Sequence, residues 1–499
     1  MKNDQSGRLP LYEKIGYGFS DASANFVFQI MVMFQVGFYT DVFGITAAAA
    51  GTLLLVGRFW DAIFDPFMGS LADRTNTRWG KFRPWLLWTA IPFALMFFLT
   101  FHTPNFSPSG KLVYAYITYI LLMTVYSMNN TPYSALNGVM TGDVNERTSL
   151  SSWRFIFAQC ATILVQGFLL LMVASMGKGN PQAGWSRSIG LLSLLCIGFF
   201  VITFLSVRER IKPNPEQKAS LKEDITGLAK NKPWLSMFGL TMFVFITLAL
   251  WGSAMYYYFN YYISKPHLFN FLHSLGMAAS PAADGTITLT GVQKALDAMG
   301  LIAKADLSNT AIIGFSLFNM LGTILSLIGI VLSKRLTIRF SKKSVFMTGL
   351  LLTVLFTAMF FLLSPTAVGA TFVLNLLKSL AYSFTIPLLW AMMADVADYS
   401  EWKTARRSTG FIFAGIVFAL KAGLGFGGAI CGWLLALYGY VPNVAQSEHA
   451  LRGIKMTASI YPAITFALGA AALAFYGISK KLSLQIQDEL AERRKSYQY

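Results

Sequence analysis

Charge is scarce in this chain. Asp, Glu, Lys and Arg make up 13% of its 499 residues, against about a quarter in soluble domains. So few charges cannot solvate the surface of a chain this long. Cysteine is nearly absent. Cys160, Cys196 and Cys431 all fall in apolar runs, which excludes a disulfide framework and reads as buried packing thiols. Histidine is equally rare. His102 is the last residue of an apolar run, and His267, His273 and His449 lie between runs, so no imidazole relays a proton deep inside a run. No Walker A loop, HExxH, paired CxxC or nucleophile elbow occurs. That leaves no ATP motor, no resident metal or cofactor and no enzyme chemistry to read. The polar start to about Lys14, followed by a long apolar run, is not a cleavable leader pattern.

What fills the space is hydrocarbon. The composition is 55% apolar, with 42 Phe. Apolar runs recur at 15–40, 47–71, 84–102, 112–140, 153–175, 188–207, 234–263, 310–333, 344–364, 370–397, 410–439 and 454–479. Each is long enough to cross a bilayer as a helix. The fold class is therefore an all-α membrane protein with twelve transmembrane helices. Residues 1–207 form an N-terminal six-helix bundle and 208–233 a polar linker. Residues 234–479 form a C-terminal six-helix bundle with an outside loop at 264–308, and 480–499 an amphipathic tail. Inside that loop, Thr290 is placed to cap a short helix through Ala298 that Gly300 ends.

The formal charge of +17 raises the question of a nucleic-acid partner. Its distribution answers it. With the N-terminus inside, most of the 40 Lys and Arg fall in inside segments and few outside. This positive-inside bias puts both termini in the cytoplasm, accounts for the basic charge without nucleic acid and makes the bilayer the partner. The halves also echo each other. Asp73-Arg74 and the basic run to Arg83 follow the second run, as a basic loop at 334–343 follows the eighth. Asp143, Glu146 and Arg147 follow the fourth, as Asp395, Asp398, Glu401 and Arg407 follow the tenth. A repeat of about half the chain marks a duplicated six-helix unit. The interleaved acids in these loops suggest a cytoplasmic gate of Asp73, Arg74, Asp143, Arg147, Asp395, Asp398 and Arg407.

The charges inside runs are few: Asp21, Asp61 and Asp65 against Arg58, Arg154, Lys378 and Lys421. Asp61 and Asp65 share one helix face, about 6 Å apart along the axis. An ionised carboxylate in a bilayer costs upward of about 3 kcal/mol, so two need a purpose. They suit a coupling cation, with a structural pair to Arg58 or Lys421 as the plainer alternative. Oxygen-rich coordination would suit Na⁺ and a protonatable carboxylate H⁺. Asp21 and Asn25 are also one turn apart, with Gln29 a further turn on. Such side chains can hold sugar hydroxyls. Asn129, Asn130 and Thr131 adjoin Pro132, where they either meet a substrate or satisfy carbonyls freed by the proline. Trp390 is either packing or a stacking platform. Lys421 lies too deep to snorkel easily, whereas Arg154 read alone is a snorkelling interface arginine. Lys378 is less deep and reads as structural.

Several passages together resemble the glycoside–pentoside–hexuronide:cation symporters of the major facilitator superfamily. They are the stretches at 38–41, 58–66, 77–84, 130–133, 395–403 and 439–446, so the resemblance spans nearly the whole chain. It implies a twelve-helix symporter in two pseudo-symmetric bundles, in a bacterial-type inner membrane, moving a sugar, glycoside or uronide with a cation as a monomer. It also implies that Asp61, Asp65 and Ser127 take part in cation coupling, and Lys421 is placed with them. Arg154 and Lys421 become pocket residues, joined by Asp21, Asn25, Asn130 and Trp390. Phe64 stands where the melibiose-type site has a polar side chain, which favours H⁺ over Na⁺. The other reading is a lipid or lysolipid carrier, or a non-transporting sensor, of the same fold.

Overall fold

The computed structural model describes residues 9–141, 144–210, 231–279, 289–404 and 409–495. The first six long helices are α1 (Leu11–Met33), α2 (Ala47–Arg74), α3 (Arg83–Thr100), α4 (Pro108–Met140), α5 (Val144–Gly177) and α6 (Pro181–Ser206). Next come α7 (Lys232–Tyr257), α8 (Lys265–Ser274), α9 (Gly291–Ala298), α10 (Thr310–Arg339), α11 (Lys342–Met359) and α12 (Val368–Ser383). The chain closes with α13 (Ile386–Thr404), α14 (Thr409–Leu437), α15 (Glu448–Thr457), α16 (Ile460–Ala474) and α17 (Lys480–Lys495). Among the described residues, β pairing is limited to two isolated bridges, Thr77 with Gly80 and Ala278 with Ala303.

Local chemistry sets the helix starts. Ser107, Asn180 and Asn231 each accept a backbone N–H three residues on, and a proline follows within two positions. The cap meets one orphan donor, and proline loses nothing in a first turn that has no partner for its nitrogen. Glu209 caps α3 from outside the helix. Its carboxylate accepts the N–H groups of Lys81, Phe82 and Arg83 at 2.8–2.9 Å. Gly80, at φ +115°, makes room for it, since a Cβ there would lie 2.5 Å from the carboxylate.

Eleven of the described helices or helix runs are long and apolar enough to cross a membrane. Joining α1 to its continuation Gln35–Phe43, bent by 63°, makes twelve. Two further expected spans are broken. The span expected at 370–397 divides at Phe384–Thr385 into α12 and α13, and the last at Ala458–Ser459 into α15 and α16. Pro387 and Pro462 each sit just inside the second piece, where a helix can begin but not easily continue.

The chain divides into two compact units. Unit 1 comprises Met1–Glu216, Leu275–Ser316 and Val441–Val444, and unit 2 comprises Gln217–Ser274, Leu317–Tyr440 and Ala445–Tyr499. Unit 1 thus takes in the part of the outside loop from Leu275 on, expected to belong with the second bundle, together with the start of α10 up to Ser316. There Phe315 meets Phe34 edge-on at 5.8 Å. The short helix expected in it is present as α9, closed by a reciprocal Thr290–Gln293 capping box.

Each unit repeats the same packing. In unit 1, α1 packs on α5 and α6, and α3 packs on α4 and α6. In unit 2, α7 packs on α14 and α16, and α11 packs on α12 and α16. The first helix of six meets the fifth and sixth, and the third meets the fourth and sixth. This is the duplication that the loop motifs suggested, expressed as packing.

Candidate functional site

The two carboxylates of α2 meet α4. A glycine permits the approach. A Cβ on Gly57 would lie 2.2 Å from the Tyr119 ring of α4, so only hydrogen lets the two helices close there. One turn further along α2, Asp61 is fully buried, and Arg58 beside it is nearly so. Ser127 Oγ lies 2.7 Å from Asp61 Oδ1 and also hydrogen-bonds Asp65 Oδ1. Thr131 Oγ1 donates to the same Asp65 oxygen at 3.4 Å. Arg58 approaches Asp61 Oδ2 at 4.0 Å, an ion-pair distance rather than a tight fork. Phe64, between the aspartates in sequence, stacks on Trp60 at 6.1 Å.

A hydroxyl carries one proton. Ser127 can donate to one carboxylate only, so its second oxygen–oxygen contact requires either a proton on a carboxyl group or a cation. The arrangement concentrates negative charge, which a proton or a cation bound there would offset. Gly57→Ala should push α2 off α4 and separate Asp61 from Ser127. We expect a stability loss of about 1–3 kcal/mol, typical of overpacking, and transport lowered at least tenfold. Adding Tyr119→Leu should restore much of both, measured by thermal unfolding and uptake.

The second cluster joins α1 to α5. Arg154 Nε donates to Asp21 Oδ1 at 2.8 Å. Asn25 Nδ2 donates to the Asp21 carbonyl at 2.8 Å and to its carboxylate at 3.3 Å. The Arg154 guanidinium lies 5.2 Å from the Tyr133 ring centre, and Tyr133 stacks on Tyr17 at 4.6 Å. One turn beyond Asn25, Gln29 donates to Thr162, and Gln166 donates to Gln29, both at 3.1 Å. Asp21, Asn25 and Gln29 thus face Arg154, Thr162 and Gln166, each set stepping along its helix in multiples of four. Tyr17, Thr162 and Gln166 escaped the sequence reading, although that spacing on α5 could have found the last two. Ser127 and Tyr133 share α4, about 9 Å apart along its axis, so one helix carries both clusters.

The asparagines beside Pro132 divide. Asn129 is buried and donates to Thr89 at 2.8 Å, a packing role. Asn130 is half-buried, with no hydrogen bond among the described residues. In unit 2, Lys421 is buried on α14, and Trp390 on α13 is 39% exposed. Lys378 is buried, with no carboxylate in ion-pair range among the described residues. Its ammonium lies over the Trp251 ring, 2.8 Å from the centroid.

The expected gate residues scatter. Asp73 and Arg74 are exposed and make no ion pair among the described residues. Arg147 donates to the carbonyls of Thr141 and Gly138 at the end of α4. Asp395 binds Lys342 through both oxygens at 2.8 Å, a partner the sequence reading missed. Asp398 is half-buried on α13, whereas Asp143 and Arg407 lie outside the described residues. Other ends of unit 1 are tied by Lys14 to Glu146 at 2.9 Å and Arg210 to Glu13 at 2.6 Å. The hydrogen bonds it donates to Glu13 hold the Arg210 guanidinium above its usual range. Among the described residues no group of three His, Cys, Asp or Glu is placed to hold a metal ion.

A family model described as MFS/sugar transport protein matches residues 14–313 and 310–480. The chain is 35% identical to the Inner membrane symporter YicJ of Escherichia coli K12, over 98% of this chain and 97% of that protein. It is 33% identical to the Putative glycoside/cation symporter YagG of the same organism, over 98% and 96%. A solved structure of a bacterial homologue of the lysosomal transporter Spinster shares the fold. It has a TM-score of 0.63 at 13% identity and covers 96% of this chain and 99% of that one. This chain, a multi-pass membrane transporter rather than an enzyme, belongs to the MFS/sugar transport protein family and, within it, to the glycoside–pentoside–hexuronide type of symporter.

Proposed function

We propose that the protein imports a sugar, glycoside or uronide together with a proton, by alternating access, as a monomer in a bacterial inner membrane with both termini cytoplasmic. One observation carries the choice of ion: both aspartates contact Ser127 Oγ, which has a single proton to donate. A proton on either carboxyl satisfies both contacts. A metal cation needs oxygen ligands arranged around it at more than 2 Å, and here both carboxylate oxygens are already in hydrogen-bond contact with Ser127 Oγ. Phe64 adds a ring rather than a ligand. The proton neutralises a buried charge, which is what lets such a site change its exposure at tolerable cost.

The Asp21–Arg154–Asn25 cluster supports a hydroxylated substrate, because it offers both donors and acceptors around a half-exposed guanidinium. YagG carries glycoside and cation in its name, which supports the same substrate class here. In unit 1 Asn130 adds an amide with spare hydrogen-bonding capacity, and in unit 2 Lys421 and Trp390 are the residues proposed for substrate contact. The reading is tested in proteoliposomes with radiolabelled methyl xyloside, methyl galactoside, methyl glucuronide and lysophosphatidylethanolamine. An imposed pH gradient should drive accumulation of at least one sugar in sodium-free buffer. Accumulation that follows only a sodium gradient would overturn the choice of ion. Uptake of the lysolipid alone would overturn the substrate class.

A further inference from the structure

A cavity of about 280 Å³ opens in unit 2 where the membrane-spanning helices α10 and α16 end and α11 and α17 begin. Lys342, Lys343 and Lys480 line it against one acid, Asp395. Lys342 is committed to Asp395. The other two ammonium groups each have a backbone partner: Lys343 Nζ donates to the Ala474 carbonyl at 2.8 Å, and Lys480 Nζ to the Ile338 carbonyl at 3.2 Å. An ammonium has three donors, so each bond fixes the lysine on the cavity wall and leaves N–H groups over.

Two helices also begin here. Ser341 Oγ takes the Ser344 N–H of α11, and Ser479 Oγ takes the Leu482 N–H of α17. The earlier N–H groups of both first turns remain, adding partial positive charge. The cavity therefore has a surplus of two full positive charges. Its mouth is apolar: Ile338, Phe340 and Leu484 line it and are more than half exposed. Exposed hydrocarbon beside fixed lysines at the end of membrane-spanning helices matches one chemistry, a phosphate ester carrying acyl chains.

We propose that this cavity binds the headgroup of an anionic phospholipid. Its phosphodiester sits between Lys343 and Lys480, and its chains run along Ile338 and Phe340. A soluble anion would use the lysines but gain nothing from the apolar mouth. A zwitterionic lipid would use the mouth but carry its own cation to the lysines. The site is independent of the coupling ion and of the transported substrate.

The full-length protein in phosphatidylcholine-containing detergent micelles is titrated with phosphatidylglycerol while its unfolding temperature is recorded. We expect a saturable rise. The Lys343→Gln/Lys480→Gln variant should need about twentyfold more lipid, each lysine near an anionic surface being worth roughly fivefold. Native mass spectrometry of the unaltered protein gives a reading that needs no variant, and phosphatidylglycerol should be retained over phosphatidylcholine. Equal retention of the two lipids would overturn the proposal. An unchanged titration in the double variant would do so as well. The same rise with inorganic phosphate alone would make this a soluble-anion site and overturn the lipid assignment.

Discussion

Replacing Asp61 by Asn should abolish gradient-driven accumulation, lowering it at least a hundredfold, while exchange of substrate between the two sides persists. The expectation follows from the single proton of Ser127. With a carboxamide at position 61, the Ser127 hydroxyl is free to donate to Asp65 and no exchangeable proton is needed to complete the cluster. A hundredfold effect corresponds to about 2.7 kcal/mol, within reach of losing a buried charge-assisted interaction. Asp65→Asn should be milder, about tenfold. Asp65 is half-exposed and can be solvated, whereas Asp61 is fully buried beside Arg58. Ser127→Ala should fall between, because it removes the shared proton but leaves both acids.

A cost in stability comes with the first change. Arg58 loses its counter-charge in a buried place, which typically costs about 3–5 kcal/mol. The measurement must therefore separate coupling from folding. Exchange in preloaded vesicles, normalised to folded protein, does so: a merely unfolded variant loses exchange and accumulation together. Full accumulation by the Asp61→Asn/Asp65→Asn double variant under an imposed pH gradient would remove both acids from the coupling step.

Much of this architecture was legible because lipid is an unforgiving solvent. Backbone groups in hydrocarbon must bond within their own segment, so apolar length alone located the spans, including 47–71 within Ala47–Arg74. The breaks at Phe384–Thr385 and Ala458–Ser459 were not legible. Each falls inside a run of unbroken hydropathy, and a proline in a membrane helix is tolerated often enough to give no warning. The carboxylates announced themselves by their cost, and the spacing of Asp61 to Asp65 put them on one face. Their partners came from elsewhere in the chain. Ser127 entered through family resemblance, while the contact between Gly57 and Tyr119 that lets α2 close on α4 is a matter of shape. Lys342 looked like one more orienting lysine, and only folding brought it to Asp395. The surplus of basic residues masked which of them have a specific partner.

The Asp21–Arg154 pair carries the second large expectation, and it is asymmetric. The Asp21 side chain is 7% exposed and that of Arg154 is 32% exposed. Arg154→Gln strands a carboxylate with little access to water, at a cost of about 3 kcal/mol. Asp21→Asn strands a guanidinium that already reaches solvent and rests on the Tyr133 ring, at about 1 kcal/mol once screening is allowed for. The Asp21→Asn/Arg154→Gln double variant distinguishes a brace from a binding group. Removing both charges should recover most of the stability lost by Arg154→Gln, because a neutral pair can still hydrogen-bond across α1 and α5. If the pair only braces these helices, sugar uptake should return with stability. If the guanidinium and carboxylate hold the substrate, uptake should stay at least a hundredfold down in a well-folded protein. We expect the second result, read from unfolding temperature and initial uptake rate on the same preparation. Restored uptake in the double variant would return Asp21 and Arg154 to packing and shift recognition to Asn130 and the residues of unit 2.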